Sequence, residues 1–121
     1  MKLAITVNTP LINSPLEHRF GRCSYFLVIE TETHAWESLP NPAAEASGGA
    51  GPQAAQFLAN QGVDAVVSGD YGPKAFTALA SAGIQMYSVQ EGQAEALLED
   101  FLNGNLERVT ESTGEQRHGG H

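Results

Sequence analysis

The sequence predicts a single α/β domain in which helices cover a five-stranded mixed sheet. Three observations carry that prediction. One glycine-bounded pattern is written twice in tandem, the chain opens on an alternating apolar stretch, and a nearly continuous apolar run follows a long loop.

The doubled pattern is the strongest of the three. Ser47-Gly48-x-x-Gly51-Pro52-x-Ala54-x-x-x-Leu58-Ala59-x-x-Gly62-Val63 returns as Ser68-Gly69-x-x-Gly72-Pro73-x-Ala75-x-x-x-Leu79-Ala80-x-x-Gly83-Ile84, at a constant offset of 21. Each copy reads as a glycine turn, a helix, a glycine stop and a strand. Proline suits the first helical turn, where its missing N–H removes no bond. Gly62 and Gly83 stand where a left-handed C-terminal cap is wanted. Two such units in tandem require right-handed crossovers and parallel strands.

The remaining elements follow in order. Residues 2–8 alternate, with Leu3, Ile5 and Val7 on one face, and predict the first strand. Residues 8–23 form a long loop with Pro10 and Pro15, and hold the one dense positive cluster, His18-Arg19-Phe20-Gly21-Arg22. Residues 24–30 are apolar and β-rich, as a strand buried on both faces would be. A turn at 31–33 leads into a third strand over 33–39, making a hairpin. Residues 40–46 are a connection. The first repeat gives a helix over 52–61 burying Ala54, Phe57 and Leu58, and a strand over 63–68. The second gives a helix over 73–82 burying Ala75, Phe76 and Leu79, and a last strand over 84–88. A third helix over 92–102 carries Ala94, Leu97, Leu98 and Phe101. The domain then spans residues 1–106, and 107–121 read as a disordered polar tail. Short connections place the fourth strand beside the first. The predicted sheet order is 3-2-1-4-5 with strand 2 antiparallel, and the loops at 9–23, 40–51, 69–72 and 89–92 meet at its carboxyl edge, where open α/β sheets bind ligands.

Composition narrows the function. A net charge of −8 with only six Lys and Arg argues against nucleic-acid or anionic-membrane partners, which need a basic footprint. The acid is concentrated after Gln90, so a basic patch elsewhere remains compatible with it. One cysteine, Cys23, excludes an internal disulfide and fits a cytoplasmic setting. The opening Met1-Lys2-Leu3-Ala4 has no apolar signal core, and no apolar run reaches the roughly 20 residues needed to span a bilayer.

The candidate site is the set of converging loops. Residues 48–51 and 69–72 both present backbone N–H groups at helix starts, which favour anions. Arg19, Arg22 and Lys74 are the cations able to add charge-assisted hydrogen bonds. The same glycines equally serve tight turns and close helix–sheet packing. Cys23 and His18 do not make a closed zinc site, which takes four ligands, but both are acceptable to a preformed iron–sulfur cluster with one or two open positions. Otherwise Cys23 is a small apolar residue opening a strand and His18 a solvated loop residue. Tyr71 either covers a ligand or packs. Gly49-x-Gly51-x-x-Ala54 with Asp70 matches a dinucleotide fingerprint, but no strand tip precedes it. There is no Gly-x-Ser-x-Gly elbow, and no acid on the first strand to join Asp64 and Asp70 in a metal pair.

Several segments together resemble the dinitrogenase iron–molybdenum cofactor biosynthesis family, of the NifX and NifB C-terminal type. They are His18-Arg19-Phe20-Gly21-Arg22 with Tyr25-Phe26, Gly48-Gly49-Ala50-Gly51-x-Gln53-Ala54-Ala55, Gly62-Val63-Asp64-Ala65-Val66-Val67-x-Gly69, and Gly72-Pro73-x-Ala75 through Ala82-Gly83-Ile84. The resemblance covers about residues 2–103. It implies a ribonuclease H-like three-layer fold and a small protein that binds or carries an anionic iron–sulfur or iron–molybdenum type cluster without catalysis, with a cluster-donor or acceptor protein as partner. The expected cofactor-binding residues are Arg19, Phe20, Gly21, Arg22, Gly48, Gly49, Ala50, Gly51, Gly69, Asp70, Tyr71 and Gly72, with His18 and Cys23 as metal ligands. The alternative is a regulatory or interaction domain that binds a phosphorylated or nucleotide ligand, or a protein, without metal.

Overall fold

β1 (Lys2–Val7) forms the middle of the sheet, and every residue after Lys2 in it is buried. That burial follows from its neighbours. β2 (Tyr25–Glu30) pairs antiparallel on one side, with Leu3 opposite Ile29 and Ile5 opposite Leu27. β4 (Ala65–Ser68) pairs parallel on the other, with Ala4 opposite Val66. β3 (Trp36–Pro40) completes the hairpin with β2, and β5 (Gln85–Ser88) runs parallel to β4. The computed structural model describes residues 1–111 of the chain.

Period-two alternation sorts the strand side chains into two cores. Ala4, Phe26, Val28, Val66 and Met86 face α1 (Ala50–Asn60) and α2 (Gly72–Ser81). Leu3, Ile5, Leu27, Ile29 and Val67 face α3 (Ala94–Leu102) on the other side. The result is three layers, a mixed sheet between two helices and one. The helices bury Ala54 and Leu58, Ala75 and Leu79, and Ala94, Leu97 and Leu98. Phe57, Phe76 and Phe101, expected inside, are half-buried at the margins.

The strand order is β3-β2-β1-β4-β5-β6, so the predicted 3-2-1-4-5 core is present with one strand added. β6 (Glu107–Arg108) corrects the expectation that everything after residue 106 is disordered. It pairs antiparallel with β5, Arg108 opposite Tyr87 and Glu107 opposite Ser88. The cause is local: Leu106 and Val109 flank two polar residues and pack against opposite cores, while Val109 N–H donates to Met86 O at 2.8 Å. The rest of the expected tail, residues 112–121, lies outside the described residues.

The two repeats fold alike but not identically. Both helices end as predicted on left-handed glycines, Gly62 (φ 75°) and Gly83 (φ 78°). Their starts differ. α1 begins at Ala50 after Gly49 in the left-handed region (φ 71°), whereas α2 begins at Gly72 after Tyr71. Gly51 is thereby inside α1, where it faces α2. A Cβ placed on it would lie 2.8 Å from Ala75 Cβ, so the two helix starts touch backbone to side chain. Gly51→Ala is therefore expected to lower stability by about 1–3 kcal/mol through overpacking. Gly48→Ala, which meets nothing within 4 Å, should change stability by less than about 0.5 kcal/mol. Urea unfolding of the two variants checks this, and equal losses would contradict the close approach.

Candidate functional site at the carboxyl rim

Thr6, near the carboxyl end of β1, brings the positive segment to this edge. Its carbonyl accepts from Glu17 N–H at 2.8 Å, and its hydroxyl lies 2.7 Å from Glu17 O and 2.8 Å from Ser68 Oγ. From there residues 18–20 run alongside the extension of β4. Gly69 N–H and Asp70 N–H both donate to His18 O (3.1 and 2.7 Å), and Phe20 N–H donates to Asp70 O at 3.1 Å. Buried Phe20 locks the segment down, its ring 5.8 Å from Phe26 and 5.4 Å from Tyr71. A 3₁₀ turn at Phe20–Arg22 then sets Gly21 against the start of α1. A Cβ there would lie 2.9 Å from Gly51 N.

The loops predicted to converge do so. An open depression of about 300 Å³ is lined by Arg19, Phe20, Gly21, Arg22, Ala50, Gly51, Asp70, Tyr71 and Gly72. Beside it lies a second of about 350 Å³, which shares Ala50, Gly51, Tyr71 and Gly72 and adds Gly49 and Lys74. Neither helix start has a side-chain cap or an acidic residue in its first turn. Both first turns border the depressions with N–H groups that a helix start leaves over, and Asp70 is the one carboxylate among the lining residues. Pro52 and Pro73 remove one donor from each set.

Tyr71 forms the floor of both depressions. Its hydroxyl reaches under the sheet edge to Tyr87 O at 2.7 Å and Val66 O at 3.1 Å. Burial pushes its pKa up, so the phenol stays protonated. Its hydroxyl is engaged inside the fold, and the residue lines both depressions.

The charged side chains are more engaged than the sequence implied. Arg22 Nη1 donates to Ala44 O (3.2 Å) and Ala46 O (2.6 Å), tying down the connection that leads into α1. Arg19 Nε donates to Glu17 Oε2 at 3.1 Å, and Arg19 N–H donates to the same oxygen at 2.8 Å. Glu17 Oε1 accepts from Asn8 Nδ2 at 2.7 Å. Partial burial pushes the Glu17 carboxyl up, but the Arg19 and Asn8 donors together outweigh it and hold the group at about 2.

Four expected site residues stand apart from the lining. Gly48 is exposed and meets nothing within 4 Å. Gly69 lies beneath His18, whose Cδ2 would be 2.2 Å from a Cβ there, so this glycine makes room for the exposed imidazole. Cys23 does not offer a thiolate at the rim. It is fully buried, and Asn41 Nδ2 donates to Cys23 O at 2.9 Å and lies 3.7 Å from Sγ. Burial pushes the thiol up to about 12. Among the described residues no group of three or more His, Cys, Asp or Glu is arranged to hold a metal ion. Sequence reasoning missed Glu17, Thr6 and Asn41. An acid two positions before Arg19 was the one available signal for Glu17.

Glu17 gives a pH test. Its folded pKa lies below the ordinary 4.5, so its contribution to stability is complete above about pH 5 and is lost as pH falls toward about 2. The difference in melting temperature between the parent chain and Glu17→Ala should shrink over that window. A constant difference would contradict the hydrogen-bonded carboxylate.

The chain matches the family described as dinitrogenase iron–molybdenum cofactor over residues 1–104. It is 32% identical over 111 residues to an uncharacterised protein of Methanocaldococcus jannaschii, covering 89% of this chain and 91% of that one. Its fold is similar to the apo form of the orange protein from Desulfovibrio gigas, with a TM-score of 0.90, 33% identity and coverage of 93% and 96%. It is also similar to a putative NifB protein from Thermotoga, with a TM-score of 0.82, 32% identity and coverage of 94% and 97%. The extent of the family match and these two likenesses place the chain in the dinitrogenase iron–molybdenum cofactor family.

Proposed function

We propose that this chain is a non-catalytic carrier of an anionic iron–sulfur or iron–molybdenum type cluster, taken up as cargo at the carboxyl rim. One observation carries the reading. Two uncapped helix starts and the arginine-bearing segment 18–22 border one open depression. Gly51 and Gly72 at the two helix starts, with Gly21 and Ala50 beside them, leave the N–H groups there open to close approach by a bulky, charge-dispersed anion. Each helix start favours an anion by about 0.3–1 kcal/mol, and Arg19, Arg22 and Lys74 add charge-assisted hydrogen bonds.

In this reading Cys23 keeps its proton and packs with Asn41, and His18, exposed beside the rim but outside the lining of the depression, is the candidate metal ligand that remains. The six-stranded sheet is an elaborated ribonuclease H-like arrangement. The family membership, and the description of one relative as a putative NifB protein, support cofactor handling. Cargo of this kind requires a cluster-donor or acceptor protein, met in the cytoplasm. Among the described residues no helix is long and apolar enough to cross a membrane.

Anaerobic addition of a synthetic four-iron, four-sulfide cluster tests the proposal. The protein should retain iron and sulfide through gel filtration and turn brown, with broad charge-transfer absorption. Arg19→Ala combined with Lys74→Ala should weaken retention about tenfold or more, the scale of one hydrogen bond to a charged group. Absence of retention, together with thermal stabilisation by nucleotides, would favour the metal-free regulatory reading instead.

A further inference from the structure

Arg19 has a 68% exposed side chain, yet it is not a loose surface arginine. Its Nε and its backbone N–H both donate to one oxygen of Glu17, whose side chain is only 11% exposed. The other Glu17 oxygen is held from behind by Asn8 Nδ2, and Asn8 Oδ1 accepts from Ser24 N–H at 3.0 Å, which fixes that amide in turn. Glu17 itself is fastened at its main chain to Thr6 on both sides. The carboxylate is thus a rigid bracket, and it grips the guanidinium at Nε, the inner corner. Glu17 leaves the two terminal nitrogens, the pair that makes an end-on fork to an anion, unengaged, and Arg19 lines the depression together with Asp70.

We propose that Glu17 is a positioning residue, one that aims the terminal fork of Arg19 at the anion in the rim depression. The assignment deepens the carrier reading and rests on it. It also makes a chemical claim about charge. By pairing with Arg19, Glu17 offsets much of its charge, so the fork acts mainly through directed hydrogen bonds. A site of that kind holds a large, charge-dispersed anion and discriminates against compact dianions such as inorganic phosphate.

The test has a ligand-free arm and a loaded arm. In the ligand-free protein the Arg19 Nε–H signal should be sharp and protected from solvent exchange. It should collapse to the position of a solvated arginine in Glu17→Ala and weaken less in Glu17→Gln, which keeps an oxygen toward Nε only by setting its NH2 against Asn8 Nδ2. In the loaded arm, retention of the synthetic four-iron, four-sulfide cluster is measured in a double-mutant cycle. Glu17→Ala should weaken it about three- to tenfold, Glu17→Gln by less than Glu17→Ala does, and Glu17→Ala should cost nothing further in an Arg19→Ala background. Inorganic phosphate should not compete at millimolar concentration. The assignment is overturned if Glu17→Ala leaves the Arg19 signal or the retention unchanged, if its loss persists without Arg19, or if phosphate displaces the cluster. Failure of the parent chain to take up any cluster overturns the carrier reading, and the bracket itself is then decided by the Nε–H signal.

Discussion

No room exists for a Cβ atom between the starts of α1 and α2, and the shape of the rim depends on that. Gly51 packs onto Ala75, Gly21 onto the backbone of Gly51, and Gly69 under the His18 ring. Each contact is one atom closer than any other residue would allow. Together they draw three separate turns into a single surface made largely of peptide groups. Main-chain hydrogen bonds between residues 18–20 and 69–70 hold it closed.

The consequence is electrostatic. Side chains with long reach are few at this edge, and two of them are partly engaged. Arg22 spends donors on the carbonyls of Ala44 and Ala46, and Arg19 spends one on Glu17. In the carrier reading the attraction for a negative ligand therefore comes mainly from two helix starts without a side-chain cap, in a chain that is otherwise strongly acidic. On that reading such a surface is positive only locally, so it repels polyanions at long range while it admits a charge-dispersed anion that reaches it.

Much of this was legible in the residues, for a reason that can be named. The tandem pattern fixed two crossovers, and crossover handedness with short connections left one sensible place for β4, beside β1. The carboxyl edge followed. Three things were not legible. Glu107 and Arg108 look like tail because their own side chains are polar; only the flanking Leu106 and Val109, seated in opposite cores, make them a strand. Cys23 and the rim lie close in sequence, but the residue leaves the 3₁₀ turn buried in the core beneath α1 and α2, beside Asn41, a partner 18 positions away. Arg22 read as a cation with all its donors free because composition cannot show a bond to carbonyls 22 and 24 residues on. In each case a long-range contact decided the outcome, and local pattern carries no information about it.

The central claim is that peptide N–H groups at two apposed helix starts form the binding surface. Amide signals of the protein loaded with the synthetic four-iron, four-sulfide cluster test it most directly. Relaxation broadening should be strongest at Ala50, Gly51, Gly72 and Lys74 and fade toward Trp36 and Leu102 at the opposite edge. Broadening centred on the opposite edge, or spread evenly over the sheet, would contradict it.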